Sequence, residues 1–436
     1  SEMCIRDRAH MAPLPDTLSP ALREKYGLED LDTAVRNIHF PSNAKALEAA
    51  RHRLIFEELL TLTVGLKKLK GRKRTPTTRV IEKDCTAAFA ARLPFTLTGA
   101  QSRAVSQCIA DLQSGYPMNR LLQGDVGSGK TAVAAALLDT MVQNGYQCAL
   151  MAPTEILATQ HYATLQKFFA GTNTRLCLLT GACTAKEKRQ IKADLLEGNI
   201  HIAVGTHALI QNDVEFANLG LVITDEQHRF GVQQRADLAM KGEEVHTLVM
   251  SATPIPRTLY IALMGARDMS SIETPPVNRQ PVQTSVCPYD ERIMKKAMER
   301  ELERGGQIFL LHNRVKTIEL FRDRIQALVP KARIVIGHGQ MPKEELEKVM
   351  RTFVQGKADI LLATTIIESG IDIPNANTII IDRADRFGLA DLYQLRGRVG
   401  RAGHRAYAYL MLPRSAATTG DARKRVSAIK QYTELG

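Results

Sequence analysis

Gly124-Asp125-Val126-Gly127-Ser128-Gly129-Lys130-Thr131 is the stretch that decides the fold class. The apolar pair Leu121-Leu122 precedes it, and an alanine-rich run over 132–138 follows it. A strand, a glycine-rich turn and a helix, in that order, place backbone N–H groups and a positive helix end around a triphosphate. Lys130 can reach the β- and γ-phosphates, and the Thr131 hydroxyl can ligate Mg²⁺. All eight loop residues are therefore candidate nucleotide ligands. The loop alone says only that a nucleoside triphosphate binds.

The pattern on either side extends the α/β reading. From about 95 to 265, apolar strands alternate with helical stretches, with strands expected at 147–151, 175–179, 200–205, 219–224 and 247–251. That alternation predicts a parallel sheet. A Pro-rich stretch over 273–281 then marks a boundary. A second series follows, with strands expected at 307–311, 333–337, 359–363, 378–382 and 406–411. Upstream, Leu47, Leu54, Ile55, Leu59 and Leu62 recur at helical spacing and predict a long helix, Ala44–Lys70. It runs into the basic stretch Lys67 to Arg74, which is either a solvated helix end or a DNA-backbone contact.

Bulk properties narrow the class. The 436 residues favour two or three domains, and 44% hydrophobic with 24% charged residues is ordinary for a globular protein. No run approaches the roughly 20 apolar residues of a membrane helix. Seven scattered cysteines form no C-x-x-C pair, which argues against zinc and a disulfide framework and for a reducing cytoplasm. The net charge of +12 suits either a polyanion partner or a solvated basic surface. With no Trp and 5% aromatic residues, phosphate-backbone contacts fit better than base-stacking platforms.

Further motifs complete a hydrolytic site. Asp225-Glu226-Gln227-His228 directly follows an apolar strand. Asp225 is the candidate for the Mg²⁺ shell, and Glu226 for the base that activates water. His228 suggests a link from the γ-phosphate site to nearby polar residues. Ser251-Ala252-Thr253 places small hydroxyls at another strand end, where they can bond to the acidic pair. In Gln394-Leu395-Arg396-Gly397-Arg398-Val399-Gly400-Arg401, arginines 398 and 401 can stabilise charge on a transferred phosphoryl group, or can form a basic nucleic-acid patch.

This series resembles a superfamily-two helicase. The resemblance implies two tandem RecA-like P-loop domains with parallel sheets, preceded by a helical N-terminal segment, with ATP in the cleft between the domains. Leu97-Thr98-Gly99-Ala100-Gln101 resembles the adenine-reading element, which makes Gln101 the base contact. Pro153-Thr154-Glu155 and Gly205-Thr206-His207 resemble the strand-contacting motifs of the first domain. His312-Asn313-Arg314 and Ala363-Thr364-Thr365 through Gly370-Ile371-Asp372 resemble those of the second, with Gly370 and Asp372 also near the nucleotide. His228, Ser251, Thr253 and Gln394 become coupling candidates. Within the superfamily, 225–231, 251–259 and the early stretch from Leu14 to Leu60 are similar to RecG, the branched-DNA helicase. Gly265 to Asp268, Ile272 to Pro276, His312 to Val315, Gly339 to Met341 and Phe387 to Arg396 look closer to Mfd, the transcription-repair coupling factor.

The expected organisation is a non-native leader at 1–10, a helical linker over 11–85, a RecA-like ATP-binding domain over 86–270 and a second over 271–436. The resemblance implies an ATP- and Mg²⁺-dependent motor acting on double-stranded and branched DNA, monomeric and cytoplasmic in a bacterium. An Mfd-like translocase, an RNA helicase and a nucleotide-gated DNA-binding module remain the alternatives. The wedge domain of RecG and the coupling hairpin common to both relatives are not seen in the sequence, so weakened unwinding is expected.

Overall fold

The structure is a computed structural model that describes residues 13–70, 75–125, 127–211, 213–225, 244–252, 267–273, 282–364, 373, 375–400 and 405–413. Residues 13–70, with 267 and 268, form one compact unit, and the remaining described residues form a second.

Among its described residues, the first unit has three helices: α1 (Pro20–Tyr26), α2 (Leu31–His39) and α3 (Ala44–Lys70). Ser19 caps α1, whose first residue is Pro20, and Gly27 closes it in the left-handed region at φ +60°. Asp30 Oδ1 caps α2 by accepting from the Thr33 N–H at 2.9 Å. Arg53 lies fully buried on α3. Its guanidinium donates to Asp16 Oδ1 at 2.8 Å and to Glu57 Oε2 at 2.6 Å. Burial alone would raise the Asp16 pKa, but the N–H groups of Leu18 and Leu31 together with Arg53 hold it below the ordinary carboxylate value.

The second unit opens with a strap. Thr77 Oγ1 donates to the Glu244 carbonyl at 2.7 Å, and Arg79 Nε donates to the Leu219 carbonyl at 2.6 Å. These contacts hold residues 77–79 against the amino ends of strands. Two helices follow, α4 (Thr86–Arg92) and α5 (Gly99–Leu112). Then come β1 (Asn119–Gly124), α6 (Lys130–Gln143), β2 (Gln147–Met151), α7 (Glu155–Phe168), β3 (Leu176–Leu179), α8 (Ala185–Leu196), β4 (Ile202–Gly205), β5 (Leu219–Asp225), β6 (His246–Ser251) and β7 (Asp268–Ile272). They form a sheet of order β3-β4-β2-β5-β6-β1-β7, and the pairs from β3 through β1 are all parallel. Apolar runs such as Leu221-Val222-Ile223 read as continuous because helices cover both faces. Ala132 through Met141 of α6 are buried against this sheet.

The second series is β8 (Gln283–Pro288), α9 (Glu291–Glu303), β9 (Gln307–Leu311), α10 (Ile318–Leu328), β10 (Ile334–Gly337), α11 (Lys343–Val354), β11 (Ile360–Ala363), β12 (Ala376–Ile381), α12 (Leu389–Arg396) and β13 (Tyr407–Leu412). Its sheet has the order β10-β11-β9-β12-β13-β8, parallel throughout. That order repeats the first sheet from β3 to β1, with β8 in the place of β1 and β12 in the place of β5, while β7 has no counterpart. The two RecA-like sheets are therefore present as expected. The sequence reading did not foresee β7 and β8, which occupy edges. Asp268-Met-Ser-Ser-Ile272 and Gln283-Thr-Ser-Val-Cys-Pro288 carry few apolar side chains, because an edge strand is covered less completely.

Candidate nucleotide site and strand-facing edges

The phosphate loop joins β1 to α6. Gly127 and Gly129 adopt φ +83° and +85°, a region that glycine enters without Cβ strain. A Cβ on Gly124 would lie 2.5 Å from Ser128 Oγ, and one on Gly129 would overlap the Gln101 amide. Gly129 caps α6 without a side chain, which leaves the first helical N–H groups facing the loop. Lys130 Nζ donates to the carbonyls of Gly124 at 2.6 Å and Asp125 at 3.0 Å, so its charge sits inside the curl. Thr131 follows in the first turn of α6, half-buried. Val126 lies outside the described residues.

Gln101 is fastened to this loop. Its Nε2 donates to the Ser128 carbonyl at 2.8 Å, and its Oε1 accepts from the Thr98 N–H at 2.9 Å. Thr98 and Gln101 form a capping box that starts α5. The expected base-reading glutamine thus also ties the start of α5 to the phosphate loop.

Strand register places the acidic side of the site. Asp225 ends β5 opposite Met250, and Ser251 ends β6 opposite Gln123 of β1. Asp225 is thus two strand spacings, about 10 Å, from the strand that feeds the phosphate loop, with Ser251 on the strand between. Asp225 is buried, and its Oδ2 bonds to His161 Nε2 of α7 at 2.9 Å. The hydroxyls and carboxylate gathered here are hard oxygen donors of the kind Mg²⁺ takes. Glu226, His228 and Thr253 lie outside the described residues.

The strand-facing candidates also sit at the carboxyl edges. β2 and β4 are neighbours, and Ala152 N–H donates to the Gly205 carbonyl at 2.9 Å. Pro153 and Thr154 therefore emerge beside Thr206 and His207. Thr154 is buried, and its Oγ1 caps α7 by accepting from the Leu157 N–H at 3.4 Å. Thr206 is also buried, while His207 is exposed. The two threonines expected to touch a strand turn their side chains inward, which leaves His207 as the exposed side chain there. In the second sheet, Asn313 and Arg314 are exposed beyond β9, and buried Thr364 follows the neighbouring β11. Thr365, Gly370 and Asp372 lie outside the described residues.

Beyond the second sheet, α12 ends at Arg396, and Gln394 is half-buried on it. Arg398 is buried, at 3% exposure. Gly400 takes φ +85°, and a Cβ there would lie 2.9 Å from the Ala406 Cβ. Arg401 lies outside the described residues. The first sheet therefore gathers Gln101, the loop, Thr131, Asp225 and Ser251, while Arg398 stands in the second series.

Two sets of contacts near the candidate site are not marked by the sequence. One is that of His161, which nothing local distinguishes from a core histidine. The other is the set of partners of His312, a residue that already stands in the His312-Asn313-Arg314 motif. Its Nδ1 bonds Asp382 Oδ2 at 2.7 Å, its Nε2 bonds Thr317 Oγ1 at 2.8 Å, and its ring stacks on Phe321 at 4.3 Å.

Comparison with known proteins agrees with this geometry. Residues 98–261 match the DEAD/DEAH box helicase family model, and residues 291–403 match that of the helicase conserved C-terminal domain. The ATP-dependent DNA helicase RecG of Synechocystis sp. is 42% identical over 97% of this chain and 52% of its own length. A solved structure of RecG bound to a three-way DNA junction superposes with a TM-score of 0.83 at 40% identity, covering 99% of this chain and 59% of that one.

The chain belongs to the superfamily-two helicases of the RecG type. It spans about half the length of the curated RecG relative from Synechocystis. The transcription-repair-coupling factor of Escherichia coli K12 is 48% identical over 348 residues, which is 80% of this chain and 30% of that protein. That length exceeds the whole second series, so likeness to the coupling factors reaches into the first sheet as well. Among the described residues, no helix is long and apolar enough to cross a membrane.

Proposed function

We propose that the chain is the motor of an ATP-dependent DNA helicase or double-strand translocase of the RecG type, acting on branched DNA in recombination and repair. The observation that supports this reading is the strand order that the second sheet shares with the first from β3 to β1, with the described candidate residues at the carboxyl ends of strands in both. The likeness to a RecG bound to a three-way junction supports branched DNA as the substrate. We assign the ATP-binding domain to 86–270 and the second motor domain to 271–436, with 11–85 leading into them.

ATP, when bound with Mg²⁺, supplies the phosphoanhydride whose hydrolysis drives movement. The glycines of the loop present N–H groups to phosphate oxygens, and Lys130 offsets their charge. Thr131 and Asp225 hold the metal. Glu226 accepts a proton from the attacking water, and Arg398 and Arg401 stabilise charge on the transferred phosphoryl group. Gln101 reads the base while holding Ser128. His207, Asn313 and Arg314 meet the DNA backbone, where contacts carry no sequence information and weaken with salt.

Lys130→Ala is expected to abolish DNA-stimulated phosphate release, and unchanged turnover would sink the assignment. A Mfd-like translocase is the second reading, favoured by the 48% identity to the Escherichia coli coupling factor. ATPase rates on linear duplex and on a three-way junction separate the two. The RecG-type reading expects a higher rate on the junction, and equal rates favour the second.

A further inference from the structure

We infer that His161 is a positioning residue through which helix α7 sets the orientation of Asp225. The inference rests on the reading of Asp225 as the metal-holding carboxylate. It adds a residue that no motif supplied.

The topology brings the two together. Asp225 is the last residue of β5, and β5 pairs with β2. α7 follows β2, so its second turn passes beside the end of β5. His161 Nε2 reaches Asp225 Oδ2 at 2.9 Å, with both residues buried. An ionised carboxylate only accepts hydrogen bonds. Toward an ionised carboxylate, then, the ring nitrogen acts as the donor. One such bond fixes the rotation of the carboxylate about its last torsion. Partners of this kind, standing behind a metal-holding group, typically matter about 10–100-fold in metal affinity or activity.

The amino end of α7 is where other parts of the motor bear on the helix. Thr154 caps it beside the exposed His207. Ala152, Ile156 and Leu157 share one buried cluster with Met350 and Phe353 of the second series. Arg351 Nη2 stands 4.0 Å from Glu155 Oε2. From Thr154 to His161 the helix rises about 10 Å. A shift imposed at the capped end by the second series or by a bound strand is carried along a rigid helix to the Asp225 carboxylate. α7 is thereby a mechanical link between strand contact and the hydrolytic site, and His161 is its far contact.

Two nearly isosteric variants test this. His161→Gln keeps an N–H near the Nε2 position, whereas His161→Asn places one near Nδ1, short of Asp225. The readouts are the melting temperature of the metal-free chain, the Mg²⁺ concentration for half-maximal binding of a fluorescent ATP analogue, and kcat and KM for ATP with and without three-way junction DNA. The expected result is that both variants melt alike. Gln should stay near the unsubstituted protein, while Asn raises the Mg²⁺ requirement by about 10-fold or more and lowers DNA-stimulated kcat with little change in KM. Equal Mg²⁺ requirements for Gln and Asn would overturn the proposal. Asp225→Asn serves as the reference. If it leaves the Mg²⁺ requirement unchanged, the reading of Asp225 fails. If it raises the requirement while the two His161 variants behave alike, only the role of His161 fails.

Discussion

From β3 to β1 the first sheet has the strand order of the second, and in each an aspartate at the carboxyl end of a matching strand, the last residue of β5 or the one after β12, is held by a histidine. In the first, Asp225 meets His161, which arrives from a helix. In the second, Asp382 meets His312, which stands directly at the end of the neighbouring strand β9 and also bonds Thr317. The chemistry differs because of what lies two strands away. β1 leads into Gly124 to Thr131, while its counterpart β8 leads into Pro288-Tyr289-Asp290, with no glycine turn. On the proposed reading, the same chassis holds a metal-facing carboxylate in one half. In the other it holds a carboxylate that fixes the turn bearing Asn313 and Arg314. Fold is shared, and function resides in the loops set on it.

The largest expected effect would break or confirm that contrast. Asp225→Asn should lower ATP turnover by more than about 100-fold, beyond the usual loss on removing an outer-shell partner. Asp382→Asn should leave turnover at saturating DNA nearly intact and weaken DNA binding by about 10-fold, near 1.4 kcal/mol. Phosphate release and fluorescence anisotropy on one junction measure both. Similar turnover losses in the two variants would mean that the halves are not divided in this way.

A second contrast lies in the strands β4 and β11, which occupy the same place in the two sheets. β4 ends in Gly205, where a Cβ would overlap the Leu179 carbonyl, whereas β11 ends in Ala363. Gly205→Ala should destabilise by about 2–3 kcal/mol, because the obstruction is backbone and cannot turn aside. Ala363→Gly should cost about 1 kcal/mol. Denaturant melts of both variants check the order, and a milder Gly205→Ala would show that the two strands splay freely.

Much of this was legible in the sequence, and the limits have physical causes. The helix Ala44–Lys70 shows in its leucine spacing, and the central strands show because burial on both faces makes them apolar runs. The edge strands β7 and β8 lack that signature. The phosphate loop is contiguous and needs no tertiary knowledge. His161 and Asp225 are far apart in sequence, and only the crossing of α7 beside β5 joins them. Thr154 and Thr206 fall at strand ends where a motif predicts outward contact. Their burial follows from a helix cap and from close packing, which a motif does not reveal.

The smallest expected effect concerns the amino edges. β6 begins with His246, fully buried, whose Nδ1 accepts the Met118 N–H at 2.9 Å and whose Nε2 bonds the Arg79 carbonyl at 2.6 Å. Its counterpart β13 begins with Tyr407, which lies under the Arg300 guanidinium at 3.7 Å. The Met118 N–H requires a bare Nδ1, so the neutral ring fits and the charged ring does not. Burial lowers the His246 pKa below 6.5, outweighing the bond to the Arg79 carbonyl. The unfolded chain then takes up the proton first as pH falls. Stability from this group is present above the unfolded value of about 6.5 and declines below it, with a slope of at most about 1.4 kcal/mol per pH unit. The Arg300–Tyr407 pair contains no imidazole. Melting curves at pH 7.5 and 5.5 should therefore show a smaller acid-induced loss in His246→Gln than in the unsubstituted chain, while Tyr407→Phe leaves that loss unchanged. An equal loss in His246→Gln would place the acid sensitivity elsewhere in the fold.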